Sequence, residues 1–149
     1  ENLGGAAHLL ITNSDHVRDA QNLVKRTGAK TWGPMAEKEN FPFPCDDWLG
    51  EGDQPVSGLS VFALEGSKTS GELAYLLENT TLITGDLIRA HEGGKLCMLP
   101  DAKLKNRQAA VASVKRMASL ENIQAVLPGD GWPIFSQGKE ALNQLAASI

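Results

Sequence analysis

The sequence is poor in cysteine, in aromatic residues and in long apolar runs, and each shortage removes a class of protein. Cys45 and Cys97 are the only cysteines, and neither has a second cysteine nearby. That pattern is neither a zinc-knuckle spacing nor a disulfide framework, so both are expected to be free, buried thiols in a reducing compartment. Aromatic residues make up 5% of the chain, too few for a platform on which bases stack. The net charge of −4 argues against a general affinity for nucleic acid. No apolar run approaches the length of a membrane span, and no basic-apolar leader opens the chain. The expectation is a soluble, cytoplasmic protein with no nucleic-acid or membrane partner.

What is present is an ordinary globular composition, 42% apolar and 21% charged, over 149 residues. That length suits one domain, residues 1–149, with a sizeable core. His8–Thr12 is a short apolar run that reads as a buried strand. Ser14 or Asp15 can cap a helix over about Asp15–Arg26, with Val17, Ala20, Leu23 and Val24 on one face and Gly28 as a left-handed cap. Lys30–Trp32 is the next strand, which makes the opening a β-α-β unit. From Gly33 to Pro55 the prolines and glycines predict a loop region with one helical turn at Met35–Asn40. Phe41, Phe43, Trp48 and Leu49 should pin it to the body.

Leu59–Leu64 reads as a strand, and Leu73–Leu77 and Thr81–Thr84 as a hairpin turning at Glu78-Asn79-Thr80. A polar, glycine-containing segment follows as far as Leu99. The longest helix should run from Pro100-Asp101 to about Ser119, with Leu104, Val111, Val114 and Ala118 inward. A strand at Ile123–Leu127 and a helix at about Gly138–Ala147, burying Ala141, Leu142 and Leu145, complete a layered α/β domain.

Polar residues gather in four loops at strand ends, where such a domain usually keeps its site. They are Thr12-Asn13-Ser14-Asp15-His16, Gly66-Ser67-Lys68-Thr69-Ser70-Gly71-Glu72, Thr84-Gly85-Asp86 and Leu127-Pro128-Gly129-Asp130-Gly131. In order and context these four loops resemble the motif series of the metallo-β-lactamase superfamily. That series runs Thr-His-x-His-x-Asp-His, His-Thr-Pro-Gly, Gly-Asp and Gly-His-Gly, each after a strand. The resemblance covers nearly the whole chain and implies an αββα sandwich whose hydrolases bind one or two metals. Members usually carry several strands before the first loop, and only about eleven residues precede Thr12 here. Part of the N-terminal sheet is therefore expected to be lacking, leaving apolar surface that upstream residues or a homodimer would cover.

The residues depart from the family at most ligand positions. Asn13 stands where the first ligand histidine belongs. Asp15-His16 matches the family's Asp-His if the loop has lost two residues; without that gap Asp15 lies on the second histidine. Lys68 takes the place of the next histidine and Asp130 that of the last, while Asp86 resembles the bridging carboxylate. A protonated lysine has no lone pair to offer and would repel a dication, yet it can neutralise carboxylates that otherwise crowd a pocket. The expectation is that Lys68 stands in for the metal, with Asp15, Asp86 and Asp130 as its partners.

Each candidate also has a plainer reading: a solvated or capping His16, an N-cap at Asp15, turn-forming Asp86 and Asp130, and structural His8 and His91. Lys103, Lys105, Arg107, Lys115 and Arg116 read as a solvated helix face.

Two functional classes follow. The first is a non-catalytic or much-diverged member with a degenerate site, using no cofactor. The second is a metal-dependent hydrolase of an ester, thioester or amide, with an oxygen-rich site of Asp15, His16, Asp86 and Asp130 holding Zn, Mn or Fe. A small anionic ligand held by Lys68 and Arg18 forms a third possibility. The site, if catalytic, would draw on Asp15, His16, Lys68, Asp86 and Asp130, and the first class is favoured.

Overall fold

A computed structural model, which describes residues 4–149, shows three sheets and three helices in an αββα stack. The first sheet is parallel, in the order β1 (His8–Leu10), β2 (Lys30–Pro34) and β3 (Asp47–Leu49). The second contains β4 (Leu59–Ala63), β5 (Leu73–Leu77), β6 (Thr81–Thr84) and β9 (Ala125–Pro128), antiparallel except for the parallel β6–β9 pair. A two-stranded hairpin, β7 (Ile88–Glu92) and β8 (Lys95–Met98), lies between β6 and the second half of the chain.

Strand β5 shows how the layers follow from sequence. Side chains alternate across a strand, so Leu73 and Tyr75 face the first sheet while Ala74 and Leu76 face the helices. All four are buried, which is why this segment reads as a continuous apolar run. Between the sheets, Trp32 and Leu49 pack on Leu59, Val61, Leu73 and Tyr75. On the far side, helices α2 (Arg107–Ser119) and α3 (Gly138–Ala147) bring Val114, Met117, Leu142 and Leu145 onto Leu76, Leu82 and Val126. Each such leucine contributes roughly 1.5–3 kcal/mol by leaving water. Helix α1 (Ala20–Thr27) covers the other face of the first sheet through Ala20 and Val24, with Ile11 and Phe43.

Several elements differ from the sequence-based expectation. The helix expected from Asp15 is split: a 3-10 turn occupies Ser14–His16, Arg18 adopts a φ of 44°, and α1 begins only at Ala20. The polar segment after Asp86 is the β7–β8 hairpin, its buried face marked by Ile88 and Ala90 alternating with Arg89 and His91. Helix α2 starts at Arg107 under an Asn106 cap, so Leu104 lies ahead of it on the chain, and Met117 and Ala110 fill core positions expected of others. Inside the proline-rich stretch, Met35–Asn40 forms the expected turn, and Asp47–Leu49 adds an unexpected strand. The hairpin turn at Glu78–Thr80, the left-handed Gly28 cap and α3 match their expectations. Cys45 and Cys97 are free but only half-buried.

Candidate functional site

The loops after β1, β4, β6 and β9 meet at one end of the two stacked sheets, and Asp86 is at their centre. Its carboxylate is buried and is approached by three donors from two loops. Asn13 Nδ2 donates to Asp86 Oδ2 at 3.0 Å, and the Lys68 ammonium lies 3.1 Å from the same oxygen. His16 Nε2 lies 3.4 Å from Oδ1. The third loop supplies the close approach these contacts need. A Cβ at Gly85 would sit 3.0 Å from Glu72 Oε1, 3.1 Å from Thr12 Oγ1 and 3.2 Å from Asn13 Nδ2. Likewise a Cβ at Gly129 would stand 2.6 Å from His16 Cε1, so the glycine lets the imidazole lie against the β9 loop.

The first loop is built to present these groups. Asn13 is extended and fully buried, and its Oδ1 accepts from Asp15 N at 3.0 Å, capping the 3-10 turn while its Nδ2 faces Asp86. Asn13, rather than Ser14 or Asp15, is therefore the cap. The turn carries His16 back toward Thr12, whose Oγ1 lies 2.8 Å from His16 Nδ1. In the tautomer that carries its proton on Nε2, facing the carboxylate, the ring accepts from the Thr12 hydroxyl at Nδ1.

Lys68 spans two carboxylates: Asp15 Oδ2 at 2.8 Å and Asp86 Oδ2 at 3.1 Å. Burial alone would push its pKa down, but hydrogen bonds to Asp15 and Asp86 reverse this and raise it, so the ammonium stays charged. For Asp86 burial alone would raise the carboxyl; hydrogen bonds from His16 and Lys68 overcome it and hold Asp86 well below the usual carboxylate range. Behind Asp86 lies Glu72, fully buried, which the sequence reading had not singled out. Its Oε1 accepts from Leu87 N at 2.8 Å and its Oε2 from Ser67 Oγ at 2.5 Å. Burial pushes the Glu72 carboxyl up, against the pull of these two donors. An acidic residue leading directly into the buried run Leu73–Leu76 was the signal available in sequence.

Asp130 does not join this cluster. Its carboxylate pairs with the Arg89 guanidinium and lies 3.3 Å from His91 Nε2. The main chain reinforces this, since Ala90 N donates to Asp130 O at 3.1 Å and ties the β9 loop to β7. The expectation that Asp130 is a partner of Lys68 is corrected accordingly. His8 is partnered too: Trp32 Nε1 donates to its Nδ1 at 3.1 Å. Arg18 Nη2 donates to Gly129 O at 2.8 Å, bracing the first loop on the fourth instead of reaching Lys68.

The structure thus brings Asp15, His16, Lys68 and Asp86 together and leaves Asp130 out. Among the described residues, no group of three or more His, Cys, Asp or Glu side chains is placed to hold one metal ion. No described helix is long and apolar enough to cross a membrane. The basic residues around α2 are exposed, with Arg107 on Asp101 and Arg116 on Glu51.

Comparison with known proteins places this end of the sandwich in context. The family model of the metallo-β-lactamase superfamily matches residues 1–149. Among solved structures, the protein TTHA1623 in a di-iron-bound form is similar, with a TM-score of 0.69 and 24% identity over 91% of this chain and 74% of that one. The DIM-1 metallo-β-lactamase superposes with a TM-score of 0.71 at 18% identity, covering 95% of this chain and 69% of the other. A metallo-β-lactamase from Pontibacter korlensis gives 0.69 at 16% identity, with 95% and 69% covered. Part of each of these folds has no counterpart in the 149 residues. A comparison with curated proteins gave no match. With loops at one end of an αββα sandwich bringing His16, Lys68 and Asp86 together, and a family model that matches residues 1–149, this chain belongs to the metallo-β-lactamase superfamily.

Proposed function

We propose that this protein is a diverged member of the superfamily in which the Lys68 ammonium stands in for the metal, leaving a site that binds and no longer hydrolyses through a metal-bound water. The observation that carries this reading is the position of Lys68 Nζ, 2.8 Å from Asp15 Oδ2 and 3.1 Å from Asp86 Oδ2. A cation held between two carboxylates does the electrostatic work of a dication there, and it repels one.

The remaining donors point the same way. A metal needs lone pairs, but His16 Nε2 faces a carboxylate as a donor and Asn13 presents its amide N–H to the same group. Asp130, which an oxygen-rich hydrolytic site would also need, is held by Arg89. This residue set does not fit the metal centre that the fold family implies. Asp15 and Lys68 instead line an open cleft above the buried Asp86.

Lys68→His tests the reading by restoring an imidazole at the family's ligand position. In a calorimetric titration with Zn²⁺ and Mn²⁺, the substituted protein should gain affinity that the native chain lacks. Equal, tight binding by both would show that Lys68 moves aside for the metal, and the reading would fall.

A further inference from the structure

We infer that the cleft beside the Lys68 loop binds a small neutral polyol, a sugar or cyclitol, whose hydroxyls on adjacent carbons are taken by the exposed Asp15–Lys68 pair. The inference rests on the reading above, since it needs Lys68 as the resident cation with no metal in its place.

The cleft has a volume of about 550 Å³ and lies between the Met35–Asn40 turn and the Lys68–Ser70 segment, with Lys105 at its side. Both members of the pair line it and reach solvent, the Asp15 side chain being 51% exposed and that of Lys68 29%. An ammonium has three N–H bonds to give, and Asp15 Oδ2 at 2.8 Å and Asp86 Oδ2 at 3.1 Å take two of them. The third is left for a ligand. A carboxylate accepts at about four lone-pair sites, so Asp15 keeps acceptor capacity beyond its bond to Lys68.

The cleft thus presents a donor and an acceptor side by side, Lys68 Nζ and Asp15 Oδ2 being 2.8 Å apart. Hydroxyl oxygens on adjacent carbons in a gauche arrangement are similarly spaced, so one hydroxyl accepts from Lys68 while its neighbour donates to Asp15. A primary amide also carries a donor and an acceptor, but its nitrogen and oxygen stand closer together and match the pair less well. The charges around the cleft favour a neutral ligand. Asp15 and Glu39 line it together with Lys68 and Lys105, whereas Glu37 is buried and the Lys38 ammonium lies over the Trp48 ring. An ion of either sign would meet like charge there. Ser14 and Ser70 add groups that bond further hydroxyls. No aromatic side chain among the described residues lines the cleft, which leaves no platform for a flat base. Met35, 51% exposed, offers apolar contact to the C–H face of a ring.

A titration of the full chain with myo-inositol, followed by two-dimensional NMR of the backbone amides, tests this. Saturable shifts are expected at Ser14, Asp15, Lys68 and Ser70, with a dissociation constant on the order of 1 mM for a ligand of this size. Two smaller probes isolate the recognition motif. cis-Cyclohexane-1,2-diol should bind at least about fivefold more tightly than trans-cyclohexane-1,4-diol, whose hydroxyls are equal in number but remote from each other. Asp15→Asn keeps the shape and removes the charged acceptor, and should weaken myo-inositol about fivefold or more.

The inference is overturned if myo-inositol gives no saturable shifts below about 50 mM, if the shifts fall away from this cleft, or if the two diols bind alike. It is overturned equally if Asp15→Asn leaves affinity unchanged, or if acetamide, acetate or ethylammonium binds more tightly than the 1,2-diol. The diol comparison uses the native chain, so it decides the matter even if the substituted protein does not fold. Metal content measured on the same samples keeps the two readings separate. Absent polyol binding without metal removes only the ligand inference, while stoichiometric metal removes the reading of Lys68 and the inference with it.

Discussion

Replacing Lys68 with methionine removes the ammonium while keeping an unbranched stem of similar length, so packing is largely retained and the electrostatic role is isolated. Breaking a fully buried ion pair by removing one partner costs roughly 3–5 kcal/mol. Here two features reduce that figure. Lys68 keeps 29% of its side chain exposed, and Asp86 retains Asn13 and His16 as donors. The Asp15 half of the bridge is weak, since Asp15 is 51% exposed and such pairs contribute at most about 1 kcal/mol. A loss of ~2 kcal/mol is therefore expected. With an unfolding entropy near 2.1 cal/mol/K per residue, that loss lowers the melting temperature of a chain this size by ~6 °C.

The pH dependence sharpens the test. In the native protein Asp86 is held well below its ordinary value of 3.8, so its contribution is complete above that value. It is lost as the pH falls through the lower folded value. Without Lys68 the burial of Asp86 is no longer fully offset and its carboxyl rises, so the variant can escape the penalty by protonating. The deficit in Lys68→Met should thus be largest near pH 7 and narrow below about pH 4. Thermal unfolding followed by circular dichroism at both pH values decides it. An unchanged melting temperature at pH 7, or a deficit of the same size at both, would refute the reasoning.

Two further outcomes are expected. Burial raises the Glu72 carboxyl above its ordinary value of 4.5, so Glu72 supports the fold most at low pH and costs stability as the pH rises through its folded value. Glu72→Gln keeps an acceptor for Leu87 N and a partner for Ser67, and should stabilise the protein at pH 8 but not at pH 4 in urea unfolding; equal destabilisation at both would contradict this. The Cys45 thiol is raised to about 11, first by burial and then by the neighbouring Asp46 charge. Iodoacetamide labelling of Cys45, read by mass spectrometry, should therefore still climb about tenfold per pH unit between about pH 8 and 10, and a plateau near pH 9 would count against it.

Much of this fold was legible because periodicity and turn chemistry are local. Leu73–Leu77, the Glu78–Thr80 turn and the Gly28 cap each announce themselves within a few residues. The β7–β8 hairpin was obscured because Arg89, His91 and Glu92 made a half-buried strand look like a loop, though Ile88 and Ala90 alternate beneath them. The start of α1 was misplaced because Asn13 spends its side chain capping a 3-10 turn, a choice made by Asp86 across the site.

The candidate site was legible only through the resemblance of the four loops to the superfamily's motif series, with charge then grouping Lys68 with Asp15 and Asp86. Asp130 was assigned to the wrong partner because nothing local in sequence says that Arg89, on another strand, lies beside it. Glu37 and Glu72 escaped notice because burial of a carboxylate is a tertiary fact.

The central claim is that Lys68 holds the place of the metal, and metal content tests it most directly. Tag-free protein would be dialysed after incubation with Zn²⁺ or Mn²⁺ and analysed by plasma mass spectrometry. The account predicts far less than one metal per chain from either incubation. Near-stoichiometric metal that survives dialysis would contradict it and return the chain to the hydrolases of its superfamily.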